Sequence, residues 1–140
     1  MAAALGTGAA DRLLFRLAAA MVVRVAIYQG LKRWELMAVV AGKLAEWNPG
    51  EPGHFISLAY AVRRAESIDA AHAILKRAEG MHPDDATVQF NLACYEAQMG
   101  NCDQARANLE RATRIVPKYR LMALGDLDLE PIWDSLSVGS

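Results

Sequence analysis

His54, His72, His82, Cys94 and Cys102 are the side chains of this 140-residue sequence best suited to hold a metal or act as a nucleophile. Metal sites need donors repeated at short intervals, as in HExxH or paired CxxC, so that one turn presents two ligands together. The three histidines are scattered instead: one enters a helical segment, one rides inside another, and one precedes Pro83 in a turn. Cys94 and Cys102 form neither a CxxC pair nor a disulfide framework, and they read as packing residues of a chain kept in a reducing, cytoplasmic setting. Nucleophilic catalysis also needs a base within reach of the attacking group, and no such spacing is present. The early "GTG" is not followed by the lysine and helix opening of a phosphate loop. "RRAES" resembles a basophilic phosphorylation site at Ser67, but a serine there also suits a helix cap. The expectation is a protein that is not an enzyme, with no cofactor and no metal.

Composition identifies the elements that must position any binding residues. The hydrophobic fraction is 54% and the mean hydropathy +0.09, so 140 residues form one globular domain with a sizeable core. Alanine, the best helix former, supplies much of that fraction, prolines fall outside the periodic segments, and extended β-branched alternation is hard to find. The fold class is all-α. A formal net charge of −1 and a pI near 6.3 argue against a nucleic-acid partner. Charge is uneven, with six Lys/Arg against three Asp/Glu in residues 1–48 and two against four in 118–140.

The stretch "DRLLFRLAAAMVVRVAIYQGLK" is apolar, but Arg16 and Arg24 interrupt it too often for a membrane span, and no cleavage site follows. It reads as a first helix, with an amphipathic organelle presequence as the competing reading. No membrane partner is expected.

A period of thirty-four residues organises the rest. Shifted by that interval, "FNLACYEAQMGNCDQARANLERATRIVP" meets "ISLAYAVRRAESIDAAHAILKRAEGMHP". Leu92 falls on Leu58, Ala93 on Ala59, Ala105 on Ala71, Leu109 on Leu75, Ala112 on Ala78 and Pro117 on Pro83. A further shift brings Pro83 to Pro49 and Ile68 to Trp34, in a degenerate first copy. Each copy reads as two amphipathic helices. In the last, Asp84 or Asp85 caps a helix with Val88, Leu92, Tyr95 and Met99 on its apolar face. Gly100 ends that helix, and Pro117 ends the next, whose stripe is Ala105, Leu109, Ala112 and Ile115. The alanines lie where paired helices approach closely.

This pattern resembles the tetratricopeptide repeat, whose thirty-four-residue unit carries small residues, a mid-repeat glycine and a terminal proline. The resemblance implies an α-α superhelix of three hairpins: repeat one at 18–51, repeat two at 52–85 and repeat three at 86–119. Glu66 and Lys32 stand where the turn glycine is expected in repeats two and one, and Met37 replaces an alanine of repeat one. The segment 120–136 resembles the cap after some bacterial arrays and completes the unit. Leu127, Leu129, Ile132 and Trp133 are expected to close the open end, with Asp126, Asp128, Glu130 and Asp134 facing water.

In such arrays the first helix of each repeat lines a concave groove. The resemblance therefore implies a partner-binding lane of Ile56, Tyr60, Arg63 and Arg64 from repeat two and Phe90, Cys94 and Gln98 from repeat three. Val22, Ala26 and Gln29 line it from repeat one. An apolar, aromatic lane beside two arginines suits a protein or peptide segment with an apolar anchor and an acidic flank. The carboxylate clamp used for chaperone tails is not supplied, because Val22, Ala26, Ser57, Thr87 and Asn91 offer no cation. RNA reading fails too, since Val22, Ile56 and Phe90 would occupy the base-reading row. The function expected is that of an adaptor or scaffold. The alternatives are a self-assembling homo-oligomer joined through the apolar "LAAAMVVRVAIY" helix, and a secretion-chaperone-like protein.

Overall fold

The computed structural model describes residues 2–138, with side chains for 8–136. Six helices run in succession: α1 (Ala2–Gly30), α2 (Trp34–Trp47), α3 (Pro52–Ala65), α4 (Ile68–Met81), α5 (Ala86–Gln98) and α6 (Cys102–Ile115). A broken tail follows, made of α7 (Tyr119–Ala123), a 3-10 segment (Leu127–Ile132) and α8 (Trp133–Val138). No strand occurs among the described residues. Sequential helices pack as antiparallel neighbours, α1 on α2, α2 on α3, α3 on α4, α4 on α5 and α5 on α6.

Local chemistry sets the boundaries. Pro52 opens α3, where Glu51 accepts from the Gly53 amide at 3.0 Å. Ser67 caps α4 by accepting from the Ala70 amide at 3.1 Å, so its hydroxyl is used structurally. Of the two candidate aspartates, Asp85 caps α5, accepting from the Val88 amide at 2.9 Å. Gly100 turns the chain between α5 and α6 at φ +85°, a conformation that favours glycine. Lys32 occupies the equivalent turn of the first hairpin at φ +56°, so a side chain there bears the strain that glycine avoids.

The alanines mark the tight contacts. Ala59, Ala71, Ala78, Ala93, Ala105 and Ala112 are wholly excluded from solvent. Around them Phe55, Leu75, Leu92 and Leu109 fill the core that runs from α3 to the tail. A second cluster joins α1 to α2 through Met21, Val25, Met37, Val40 and Leu44. Met37, standing where an alanine was expected, is completely buried, its flexible thioether filling the space. Ile115, expected on the apolar stripe of α6, is exposed instead.

Buried polar groups fix the register between hairpins. Gln89 donates to Glu79 at 3.1 Å and accepts from Asn108 at 2.8 Å, and Asn108 accepts from Gln104 at 3.0 Å. Burial opposes charge on Glu79, but hydrogen bonds from Lys76 and Gln89, with the charges of Lys76 and Arg111, outweigh it and hold this carboxyl below its ordinary range. His72 on α4 pairs with the buried Glu96 on α5, Nε2 to Oε1, at 2.5 Å. The histidine at 82 is also tied down, donating to the Pro49 carbonyl at 2.7 Å.

Two stability changes follow. Ala93→Leu drives a larger side chain into the α5–α6 contact and is expected to lower unfolding free energy by about 1–3 kcal/mol, measured by urea denaturation. Lys32→Gly relieves a left-handed non-glycine residue with open surroundings and is expected to raise it by about 1 kcal/mol. An unchanged midpoint for Lys32→Gly would show that the turn is unstrained.

Candidate partner-binding groove

The first helices of the second and third pairs, α3 and α5, lie side by side and present Tyr60, Arg63 and Arg64 opposite Thr87, Phe90, Asn91 and Cys94. The lane between them does not stand open along its length. The tail turns back after Tyr119 and crosses α5, leaving a cavity of about 280 Å³ whose walls include Tyr119, Met122, Asp126 and Asp128.

The crossing is held by specific bonds. Arg63 grips Asp128 with both terminal nitrogens, Nη1 to Oδ2 at 2.8 Å and Nη2 to Oδ1 at 3.1 Å. The same guanidinium lies 5.0 Å from the Tyr95 ring centroid. Gln98 donates to the Asp128 carbonyl at 2.9 Å, and Cys94 Sγ lies 3.7 Å from Asp126 Oδ2 as its donor. Phe90 stacks on Tyr119 with centroids 4.7 Å apart and planes at 26°. The Tyr119 hydroxyl is 2.8 Å from Thr87 Oγ1. Asp126 turns the crossing tightly by accepting from the Asp128 amide at 3.0 Å.

These contacts alter the reading of the lane residues. Phe90 and Cys94 are buried, Gln98 and Arg63 are bonded to the tail, and Ile56 is half-buried against the main core. Five of the seven residues expected to be open to a partner are thus engaged by the chain itself. Tyr60 and Arg64 keep a free side. Arg64 lies over the Tyr60 ring at 3.5 Å and over Trp34 at 5.2 Å, and Trp34 meets Tyr60 edge to face at 5.7 Å. A neighbouring cleft of about 440 Å³ is lined by Lys32, Arg33, Trp34, Glu35, Leu36 and Arg64, with Ala65. The open end of the lane is therefore cationic and aromatic.

The tail also departs from its expected role. Leu129 and Ile132 are buried and Trp133 donates to the Ala123 carbonyl at 2.8 Å, which closes the end of the core. Leu127, by contrast, is 71% exposed. Asp126 and Asp128, expected to face water, point into the groove because Cys94 and Arg63 offer them donors. The sequence signal for this was the alternation of Asp126, Asp128 and Glu130 beyond the last repeat, opposite an arginine pair one repeat back.

Hydrogen bonding to Asp128 raises the Arg63 pKa, partly opposed by burial. Burial, then the nearby Asp126 carboxylate, pushes the Cys94 thiol well above its ordinary range. Burial likewise lifts the Tyr95 phenol to about 12, against the pull of Arg63 and Arg64. One donor from each of Cys94, Asp126 and Asp128 lies within 4.8 Å of the others, a set that could hold a metal ion. Here Arg63 already pairs with Asp128, and burial beside Asp126 opposes ionisation of the Cys94 thiol, the form in which a metal would take it.

No protein-family model matches the chain, and no curated protein matches it. Solved structures of MamA do. MamA MSR-1 C2 aligns over 81% of this chain and 71% of its own, with 26% identity and a TM-score of 0.59. MamA AMB-1 P212121 aligns over 81% and 67%, with 27% identity and a TM-score of 0.58. The chain has a tetratricopeptide-type solenoid fold. Its likeness to MamA fits a protein-interaction or scaffold role. In the solenoid, Arg63 and Phe90 occupy the faces of α3 and α5 that meet the tail.

Cys94 reports on whether the tail stays in place. In the native solenoid it should resist alkylation while the half-buried Cys102 reacts. Asp128→Ala removes the Arg63 clamp and is expected to speed Cys94 labelling by about tenfold, read by peptide mass spectrometry. Labelling at the native rate would mean the ion pair does not hold the tail.

Proposed function

We propose that the protein is a non-enzymatic cytoplasmic adaptor that captures a protein or peptide segment on its concave face. In this reading the chain is a short array of three hairpins at 18–51, 52–85 and 86–119, closed by the segment 120–136. The observation that carries it is the way the chain's own tail occupies the lane, an aromatic ring stacked on Phe90 and a carboxylate gripped by Arg63. A surface that binds this chemistry in cis is suited to the same chemistry in trans. The partner is therefore a segment with an aromatic or apolar anchor and an acidic flank. It enters over Tyr60, Arg64 and Trp34, where the lane is open, and its carboxylates compete with Asp128 for Arg63. The MamA likeness supports an interaction role in general terms.

Competition has a quantitative consequence. A ligand that binds only when the tail has lifted has its affinity reduced by the fraction of molecules that are open. Segments selected from a random peptide display on the native protein are expected to be rich in aromatic and acidic residues. Their binding, measured by fluorescence anisotropy, should weaken about tenfold or more in Tyr60→Ala/Arg64→Glu and tighten several-fold in Asp128→Ala. Equal affinity for the native protein and the Tyr60/Arg64 variant would remove the groove from the reading.

A further inference from the structure

α1 is far longer than its partner helix and is covered on little of its surface. It spans 29 residues against 14 in α2, and among its described side chains, from Gly8 on, only Met21 and Val25 are buried, with Ala18 and Tyr28 half-buried beside them. Gly8–Gly30 is apolar enough, and long enough, to cross a membrane by composition, yet only 11% of its most apolar window is buried. Phe15 is 75% exposed, Leu13 58%, Val23 57% and Ile27 51%. A helix apolar on all sides is ordinarily covered on all sides.

Charge says what covers it. From Arg12 to Arg33 the chain carries five cations, Arg12, Arg16, Arg24, Lys32 and Arg33, and no Asp or Glu. The remainder has ten Lys/Arg against sixteen Asp/Glu. At the helical period, Arg12, Arg16 and Arg24 fall within about one third of the circumference, beside the exposed apolar residues. Their aliphatic stems can lie along that apolar surface while the guanidinium groups reach outward. A second copy docked through α1 would set three arginines against three, with Asp11 of each helix the sole carboxylate to answer them. An anionic lipid surface offers both an apolar layer and the missing negative charge.

We propose that α1 docks the protein lengthwise on an anionic bilayer, with its acidic remainder turned to water. The helix lies on the membrane rather than crossing it, because Met21 and Val25 are buried against Met37, Val40 and Ala41 and would lose that cover in a span. Arg16 and Arg24, which argue against a span in the sequence, suit this surface, and the expectation of no membrane partner gives way to it.

Flotation of the full-length protein with vesicles tests the idea. Recovery is expected with phosphatidylglycerol-containing vesicles, but not with pure phosphatidylcholine, and should fall as salt is raised. Arg12→Gln/Arg16→Gln and Phe15→Ser/Ile27→Ser, both at exposed positions, should each weaken binding about tenfold or more with unchanged circular dichroism. Absence of flotation would overturn the proposal, as would equal recovery on neutral lipid or binding unaltered by both variants. A dimer seen by light scattering and abolished by Phe15→Ser/Ile27→Ser would assign the face to a second copy instead. Peptide capture by Tyr60 and Arg64 is measured separately, so either reading can fail alone.

Discussion

The guanidinium of Arg63 and the carboxylate of Asp128 are 65 residues apart in sequence, yet they meet through two parallel hydrogen bonds across the third hairpin. Fork-to-fork pairing fixes orientation as well as distance. It pins the tail over α5, and the other crossing contacts follow from that placement. Gln98 reaches the Asp128 carbonyl, the Cys94 thiol finds Asp126, and Tyr119 lies flat on Phe90. Without the crossing, Phe90 and Cys94 would be apolar surface in an open groove. With it they are core.

The framework of the solenoid was legible because it rests on local and repeated constraints. A close helix–helix approach favours a small side chain, so Ala59, Ala71, Ala93 and Ala105 recur at one interval, and all four are fully buried. Gly100, Ser67 and Asp85 act within one turn of their own positions, and their turn or cap roles can be read from neighbouring residues. The site was less legible. Arg63, Phe90, Cys94 and Gln98 were identified as groove-facing from the repeat pattern, but what faces them depends on a contact between distant segments. Nothing local in Asp126 or Asp128 distinguishes a solvated carboxylate from one meeting an arginine. The extent of α1 was hidden for a related reason. The repeat defines only the half that pairs with α2, and alanine-rich sequence continues as helix whether or not a partner covers it.

The two ends of the solenoid solve the same problem differently. Stacked hairpins leave an apolar edge at each end, and an array needs those edges covered. At the far end Leu129, Ile132 and Trp133 do this from within the chain. At the near end the outer faces of α1 and α2 expose Leu17, Ile27, Leu36 and Val39. The cations of residues 12–33 belong to that edge, with Asp11 and Glu35 flanking them in sequence.

The tail itself divides into two parts held by different forces. Leu129 and Ile132 are fully buried, and extracting either side chain costs about 1.5–3 kcal/mol. The crossing at Asp126 and Asp128 is held instead by an ion pair and hydrogen bonds at a partly exposed surface, where competing charges and salt weaken attraction. The crossing can therefore lift while the anchor stays seated, and the end of the core remains closed. An incoming carboxylate that replaces Asp128 on Arg63 exchanges one bidentate pair for another, so desolvation of the guanidinium is largely common to both states. What distinguishes them is the aromatic contact, Tyr119 on Phe90 in one case and the ligand's own anchor in the other. In the proposed mode of capture, selectivity is decided at the ring, with the carboxylate setting register.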